Sequence, residues 1–144
     1  MRLSVMTCLV SVALLSGCGG GADQSAAQLS ALAQQGQKVF SQCAACHTIN
    51  AGEPHRSGPN LNGVMGAEIG PRDGYKYSPA LANAEGVWTD ERLSAWLQNP
   101  KSDFAGHKMA FGGLASADDR AAVIAYLKEA GGAQPNAAAS GPTE

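Results

Sequence analysis

The chain has 144 residues, a formal net charge of −2 and only 15% charged residues. This length has room for one domain, and the lack of a basic surplus excludes the electrostatic footprint of a nucleic-acid-binding protein. Its 18 glycines and many alanines predict a small hydrophobic core with long loops.

The N-terminus is typical of an export signal. After Arg2, residues 3–15 form an apolar stretch that is too short to cross a bilayer, which takes about 20 residues. Leu15-Ser16-Gly17-Cys18 then resembles the lipobox of bacterial lipoproteins, in which the signal is cut before a cysteine that carries lipid. We therefore predict a lipoprotein signal peptide at residues 1–17 and lipid on Cys18. The alternative is an ordinary signal with an incidental cysteine.

Composition divides the rest of the chain into a domain and two flanking segments. Residues 18–28 begin with the predicted lipidated cysteine, and they are polar, rich in Gly, Ala and Gln and without periodicity, which predicts a flexible tether. Residues 132–144 have a similar composition and are predicted to form a disordered tail. The folded domain is expected to span residues 29–131.

Helical patterns dominate this domain. Apolar residues at the helical period predict helices from Leu29 into Cys43, from Thr89 to Asn99-Pro100, and from Ser116 to Gly131-Gly132. Ser78-Pro79 predicts the start of a short additional helix. Gly, Pro and Asn are dense between residues 50 and 74, which argues for loops, and no alternating strand pattern is convincing. The expected fold class is all-α, with three main helices, a short helix and long loops.

Two of the four cysteines lie in one motif. Cys43-Ala44-Ala45-Cys46-His47 is the C-x-x-C-H pattern by which c-type haem is attached, with two thiols for the porphyrin vinyl groups and an imidazole for the iron. A thioredoxin-like redox pair would require a βαβ context. A zinc site would require a second pair of ligands, for which His55 is one candidate. The pattern therefore favours one covalent haem c, bound through Cys43 and Cys46.

The sixth ligand of a haem iron is less certain from the residues themselves. Met109 lies in a Gly-containing loop well after the attachment motif, where a thioether ligand would favour reduced iron. The alternative for a lone methionine is that it fills space in the hydrophobic core.

From about residue 36 to residue 127, the chain resembles the class I cytochromes c of mitochondria and purple bacteria. The resemblance implies the cytochrome c fold around one haem, with His47 and Met109 as axial ligands. The stretches that carry it are Gly36-Gln37-Lys38-Val39-Phe40, Cys43 to Thr48, Gly58-Pro59-Asn60-Leu61, Tyr75-Lys76-Tyr77-Ser78, Trp88, Asn99-Pro100, Lys108-Met109-Ala110-Phe111 and Val123-Ile124-Ala125-Tyr126-Leu127.

The same resemblance implies supporting roles for other residues. The carbonyl of Pro59 would accept a hydrogen bond from the ring of His47 and so orient it. Tyr77 and Trp88 would donate to a buried haem propionate. Where the first and last helices cross, Gly36 and Phe40 would pack against Tyr126.

The chain departs from the family pattern at several positions. Ala67 stands where the family has an arginine near the inner propionate, so another donor is needed, with Arg56 and Arg72 as candidates. His107 replaces a threonine before Met109 and could bond a propionate or compete for iron. Trp96 replaces the tyrosine that touches the methionine sulfur. The family has a ring of lysines around the haem edge that is used for docking, and this chain has fewer of them. Lys38, Lys101 and Lys108 remain near the expected haem edge.

The resulting functional prediction is a monohaem electron carrier, not an enzyme. The expected molecule is a periplasmic monomer held by lipid to a membrane. The outer face of the bacterial inner membrane is the expected place, and the outer membrane is the alternative. The resemblance implies redox partners such as a quinol–cytochrome c oxidoreductase, a terminal oxidase or a photosynthetic reaction centre. Two alternatives remain: a dedicated electron-accepting subunit of a membrane dehydrogenase, and a haem peroxidase or gas-binding protein.

Overall fold

The computed structural model describes residues 29–70 and 72–132, which are helical with long connecting loops. The predicted all-α fold is confirmed. Within these two ranges there is no strand, only an isolated bridge between Glu68 and Val87, and no helix there is long and apolar enough to span a membrane. The predicted signal, lipidation site, tether and tail lie outside the described residues, apart from Gly132. The helices are α1 (Ala31–Phe40), α2 (Pro79–Ala82), α3 (Asp90–Gln98), α4 (Pro100–Asp103) and α5 (Ala117–Ala130).

Helices α3 and α5 begin where the sequence predicts, whereas α1 begins at Ala31 instead of Leu29 and ends at Phe40, before Cys43. Each of the three starts after a hydroxyl side chain that accepts a hydrogen bond from an otherwise unpaired backbone N–H. Acidic residues in the first turns of α3 and α5 also complement the positive end of the helix dipole. The capping pairs are Ser30 with the N–H of Ala33 at 3.1 Å, Thr89 with that of Arg92 at 3.1 Å, and Ser116 with that of Asp119 at 3.2 Å.

The helix α4 was not predicted and corrects the expected count of helices. Asn99-Pro100 does end α3, but Pro100 also opens a new short helix, since proline is tolerated at the first helical position. A 2.6 Å salt bridge from Arg92 to Asp103 ties α4 to α3. The guanidinium of Arg92 also lies 4.5 Å from the ring centroid of Phe104, so the exit of α4 is held against α3.

The crossing of α1 and α5 forms the frame of the domain. At Gly36 a Cβ atom would lie 1.9 Å from the carbonyl oxygen of Ala122, so the two helices meet backbone to backbone. The rings of Phe40 and Tyr126 are in contact beside it, with centroids 5.2 Å apart. These are the contacts that the family resemblance implied for this crossing.

A second contact joins the start of α1 to the last turn of α5. The carboxylate of Glu129 accepts from the hydroxyl of Ser30 at 2.7 Å and from its backbone N–H at 2.8 Å. These hydrogen bonds lower the pKa of Glu129. The start of α1 is thereby fastened to the end of α5.

Side chains, not periodic backbone bonding, organise the long loop before α2. The Nδ1 atom of His55 accepts from the N–H of Asn60 at 2.8 Å, so Nε2 of the neutral ring donates to the carbonyl of Asp73 at 2.9 Å. The Asn60 amide, itself buried, donates to Thr48 Oγ1 at 2.8 Å. Two distant parts of the loop are held together in this way.

Candidate cofactor site

An apolar cavity of about 260 Å³ lies within the domain, between α3, α5, the end of α1 and the loops before α2 and after α4. Buried core residues form much of its wall, so the hydrophobic core is built around the cavity. The core side chains that line it are Phe40, Val64, Trp88, Leu93, Trp96, Leu97, Val123 and Leu127.

The end of α1 brings three groups of the C-x-x-C-H motif to this cavity. Beyond Phe40 the chain continues in turns, with the N–H groups of Cys46 and His47 both bonded to the carbonyl of Cys43 at 2.9 Å. Both thiols are free, and both line the cavity with the imidazole. Burial, and then the charge of Cys46, raises the pKa of the Cys43 thiol. A raised pKa does not fit a thioredoxin-like nucleophile, which needs a readily formed thiolate.

The ring of His47 is fixed from two sides. Its Nδ1 atom lies 2.7 Å from the carbonyl of Pro59, the contact that the resemblance implied, so Nδ1–H donates and Nε2 keeps its lone pair. At Gly58 a Cβ atom would fall 2.4 Å from the ring, so the ring packs directly on this backbone. Burial lowers the pKa of His47, partly opposed by the Pro59 hydrogen bond. The neutral imidazole that results is the form that binds a metal.

Met109 reaches the same cavity from the loop between α4 and α5, residues 104–116, which we call the Met109 loop. It is half-buried and packs against the core that contains Trp96. His107 does not line the cavity among the described residues. Its Nδ1 atom accepts from the backbone N–H of Met109 at 3.0 Å, and its ring lies edge-on to Trp96, with centroids 5.0 Å apart.

One part of the cavity lining is polar, and we call Arg72, Tyr77, Ser78 and Trp88 the polar wall. Burial raises the pKa of Tyr77, against the opposing charge of Arg72, so its hydroxyl remains a donor. The hydroxyl of Ser78 is buried and has no hydrogen-bond partner among the described residues. Buried polar groups are rarely left unpaired, so this hydroxyl points to a polar group that a cofactor would supply.

Ser78 was missed by reasoning from the sequence. In the pattern Ser78-Pro79 it looked like the first residue of a short helix, and α2 does begin at Pro79. The hydroxyl, however, makes no capping hydrogen bond. The available signal was its position directly after Tyr77, since a residue next to a cavity donor can reach the same ligand.

His55 has a structural role in place of the zinc-binding role considered for it, and the expected lysines are only partly at the cavity. Both ring nitrogens of His55 are taken by the loop contacts described above, and no group of three metal-ligating side chains occurs within residues 29–70 and 72–132. Of the three lysines expected near the haem edge, Lys108 lines the cavity, whereas Lys38 on α1 and Lys101 on α4 are exposed and do not line it.

These groups together fit a haem. Two thiols and an imidazole follow one another at the end of α1, and a thioether lies on the same cavity. The lining is mostly apolar, and its polar wall supplies donors suited to carboxylates. In such a site haem supplies a reversible one-electron iron couple.

Comparison with known proteins agrees with this chemistry. The family model described as Cytochrome c matches residues 33–131. The chain is 46% identical over 98 residues to cytochrome c of Sesamum indicum, an alignment that covers 67% of this chain and 88% of that protein. It is 50% identical over 97 residues to cytochrome c of Theileria parva, covering 67% and 84%. Among solved structures, cytochrome cH from Methylobacterium extorquens is similar with a TM-score of 0.63 and 40% identity, over 67% of this chain and 96% of that one.

Proposed function

The chain belongs to the cytochrome c family, and we propose the iron ligands, the membrane anchor and the redox partners on that premise. As a member of this family it is an electron carrier with one haem c, bound through Cys43 and Cys46. His47 and Met109 would hold the iron of this haem as its two protein ligands. Cys18 holds the protein by lipid to the outer face of a bacterial membrane. There the protein passes single electrons between a quinol-oxidising complex and a terminal oxidase or reaction centre.

The observation that carries this proposal is the convergence of Cys43, Cys46, His47 and Met109 on one apolar cavity. The Pro59 carbonyl and the Gly58 backbone fix the imidazole, so His47 would keep the same orientation in both oxidation states. A thioether ligand favours reduced iron and raises the reduction potential. Apolar walls exclude water, which keeps reorganisation small when the charge changes.

The electron would leave where the cavity reaches the surface. Four exposed lining residues, Gln42, Cys46, Lys108 and Ala110, lie at or beside the attachment motif and in the Met109 loop, whereas Ser57 and Glu68 are exposed elsewhere on the lining. A partner that docks on these four residues comes close to the haem edge. Lys108 is the one cation of this group, which gives weak electrostatic steering.

A lipid anchor would compensate for weak steering. The lipobox-like Leu15-Ser16-Gly17-Cys18 and the polar residues that follow it supply an anchor and a tether. A tethered carrier meets membrane partners at a high effective concentration, without needing long-range attraction. Stable anchoring takes two or more lipid chains.

The test uses the full chain and Cys18→Ser, both made in a bacterium that matures haem and whose respiratory chain uses cytochrome c. We expect the wild type to remain in washed membranes, where its haem is reduced by added quinol and reoxidised by oxygen through the oxidase. Cys18→Ser should appear in the periplasmic fraction with the same visible spectrum, and should be reduced more slowly by the same membranes.

Three results would contradict parts of the proposal. Equal partitioning of the two proteins would remove the anchor, and equal reduction rates would remove the advantage of tethering. Quantitative co-purification with one dehydrogenase after mild detergent extraction would indicate a dedicated subunit. Rapid binding of carbon monoxide by the reduced protein would indicate an open sixth site and a gas-binding or peroxidase role.

A further inference from the structure

The polar wall of the cavity has donors for an anion, but its expected cation is missing from position 67. Ala67 cannot supply a charge, although it stands where the family pattern has an arginine. A buried carboxylate without a cation is costly, because its charge loses the solvation that water provides. A carboxylate bound to these donors would therefore need a cation from another position of the chain.

Arg72 lines the same cavity as these donors, and its charge acts on one of them, Tyr77. Its Nη1 atom donates to the carbonyl of Asn62 at 2.6 Å, which holds the guanidinium in place. Asn62 is itself fixed, since its amide donates to the carbonyls of Ile49 at 3.2 Å and Gly131 at 2.7 Å. A guanidinium has five N–H donors, so most remain available after the Asn62 bond.

The charge of Arg72 is not compensated within the described part of the chain. The salt bridges found there join Arg92 to Asp103 and Lys128 to Asp90, and neither includes Arg72. Its charge acts on Tyr77 in the same wall, where it lowers the pKa of the phenol against the effect of burial. A half-buried cation without a carboxylate partner and a buried hydroxyl without a hydrogen-bond partner line the same cavity, which is the arrangement expected for a site that binds an anion.

The other candidate, Arg56, lies elsewhere. Its Nη1 atom donates to the carbonyl of Ala44 at 2.9 Å on the exposed side of the attachment motif. Arg56 does not line the cavity among the described residues. The two arginines are thus distinguishable by position, and Arg56 provides a matched control of equal charge.

We propose that Arg72 is the cation that binds a haem propionate, together with hydrogen bonds from Tyr77, Ser78 and Trp88. The assignment rests on the haem-bound state of the proposed function, with the propionates directed to the polar wall. The cation that the family pattern has at position 67 is supplied in this chain by position 72, which lies on the same loop.

The proposal has a measurable consequence for the iron. A cation beside the propionate opposes the positive charge gained on oxidation, so its loss should lower the reduction potential. Without the cation the propionate should also protonate at a higher pH. Since deprotonation stabilises ferric iron, the potential should then fall with rising pH across the neutral range, where the wild type is flatter.

Other groups on the cavity could add to such a slope and must be separated from it. The remaining charged or titratable side chains that line it, apart from the haem-attached cysteines and His47, are Glu68, Tyr75, Tyr77 and Lys108. Glu68 is exposed and, like a propionate, carries a carboxylate. Arg72→Gln combined with Glu68→Gln therefore shows whether the slope belongs to that carboxylate.

The experiment measures midpoint potential against pH by spectroelectrochemistry on holoproteins of the wild type, Arg72→Gln, Arg72→Lys and Arg56→Gln. We expect a lower potential and a steeper neutral slope in Arg72→Gln, an intermediate potential in Arg72→Lys, and nearly wild-type behaviour in Arg56→Gln. The slope should persist when Glu68→Gln is added.

Equal curves for Arg72→Gln and the wild type would overturn the proposal, as would equal effects of Arg72→Gln and Arg56→Gln or a slope abolished by Glu68→Gln. If Arg72→Gln does not accumulate, Arg72→Lys retains the charge but loses the planar donor fork, and an unchanged curve in that variant would also contradict the assignment. The ferric spectrum of each variant reports Met109 ligation separately, so failure of the axial assignment is distinguishable.

Discussion

At the scale of single residues, His107 shows how a polar side chain near the proposed iron ligand Met109 can hold the backbone of that ligand in place. Its Nδ1 atom accepts from the N–H of Met109, and its ring packs edge-on against Trp96. Trp96 also contacts Phe104, with ring centroids 5.3 Å apart. The start and middle of the Met109 loop are therefore both fastened to one aromatic residue of α3, and His107 positions the loop without occupying the cavity.

Two variants at this position should behave differently. His107→Leu removes the acceptor for the Met109 N–H, whereas His107→Asn keeps an acceptor near the place of Nδ1. We expect the leucine variant to lose Met109 ligation more easily by about 1 kcal/mol, the typical net value of a hydrogen bond, and the asparagine variant to lie closer to the wild type. Denaturant titration of the ferric far-red band measures this. A wild-type bis-histidine spectrum that disappears in His107→Leu would show instead that His107 binds iron.

Individual residues also show the limits of reading the site from sequence. Cys43, Cys46 and His47 are recognisable from a local motif, because their chemistry depends on adjacent positions. Arg56 and Arg72 could not be separated, because only the loop path decides which guanidinium lines the cavity. Ser78 does precede a short helix as predicted, but its place on the cavity was missed, because a hydroxyl before a proline has the same local pattern whether or not it faces a ligand.

At the scale of helices, the crossing of α1 and α5 depends on the absence of one side chain. Alanine at position 36 would favour helix formation by about 1 kcal/mol, but its Cβ would meet the backbone of Ala122. A backbone carbonyl cannot rotate away, so the helices must separate. We expect Gly36→Ala to lower the free energy of unfolding by an amount at the upper end of the roughly 1–3 kcal/mol typical of overpacking.

Chemical denaturation of the holoprotein measures this effect, and Gly112→Ala is the matched control. Gly112 is exposed, its backbone does not require glycine, and a Cβ there would meet no atom within 4 Å. It should therefore be nearly neutral for stability. A stable Gly36→Ala protein with wild-type unfolding would show that the helices can move apart at little cost.

The helices themselves were the most predictable elements. Each of the three longer helices starts after a hydroxyl residue that accepts a hydrogen bond from a backbone N–H three residues later, so the signal lies in adjacent sequence. These residues are Ser30 for α1, Thr89 for α3 and Ser116 for α5. Helix α4 was missed because Pro100 both ends one helix and begins the next. The order of the long loop was not predictable either, since contacts such as His55 to Asp73 have no periodic signal.

At the scale of the whole molecule, the core is arranged around the cofactor cavity. The α1–α5 crossing provides a rigid frame, α3 adds aromatic walls, and two loops bring Pro59 and Met109 to the same space. This arrangement explains why the proposed ligand pair of His47 and Met109 could only be inferred by resemblance. The two side chains belong to distant parts of the chain, and only tertiary packing brings them to one cavity. The proposed lipid anchor is separate from this frame, so changes at Cys18 should leave the haem site unaltered.

The ferric visible spectrum of the purified holoprotein tests the central claim most directly, because iron bound to a methionine sulfur has a weak far-red band. We expect this band in the wild type, its loss in Met109→Ala, and its retention in Cys18→Ser. Attached haem without the band, or a band that persists in Met109→Ala, would contradict the His47 and Met109 site on which the proposed electron carriage depends.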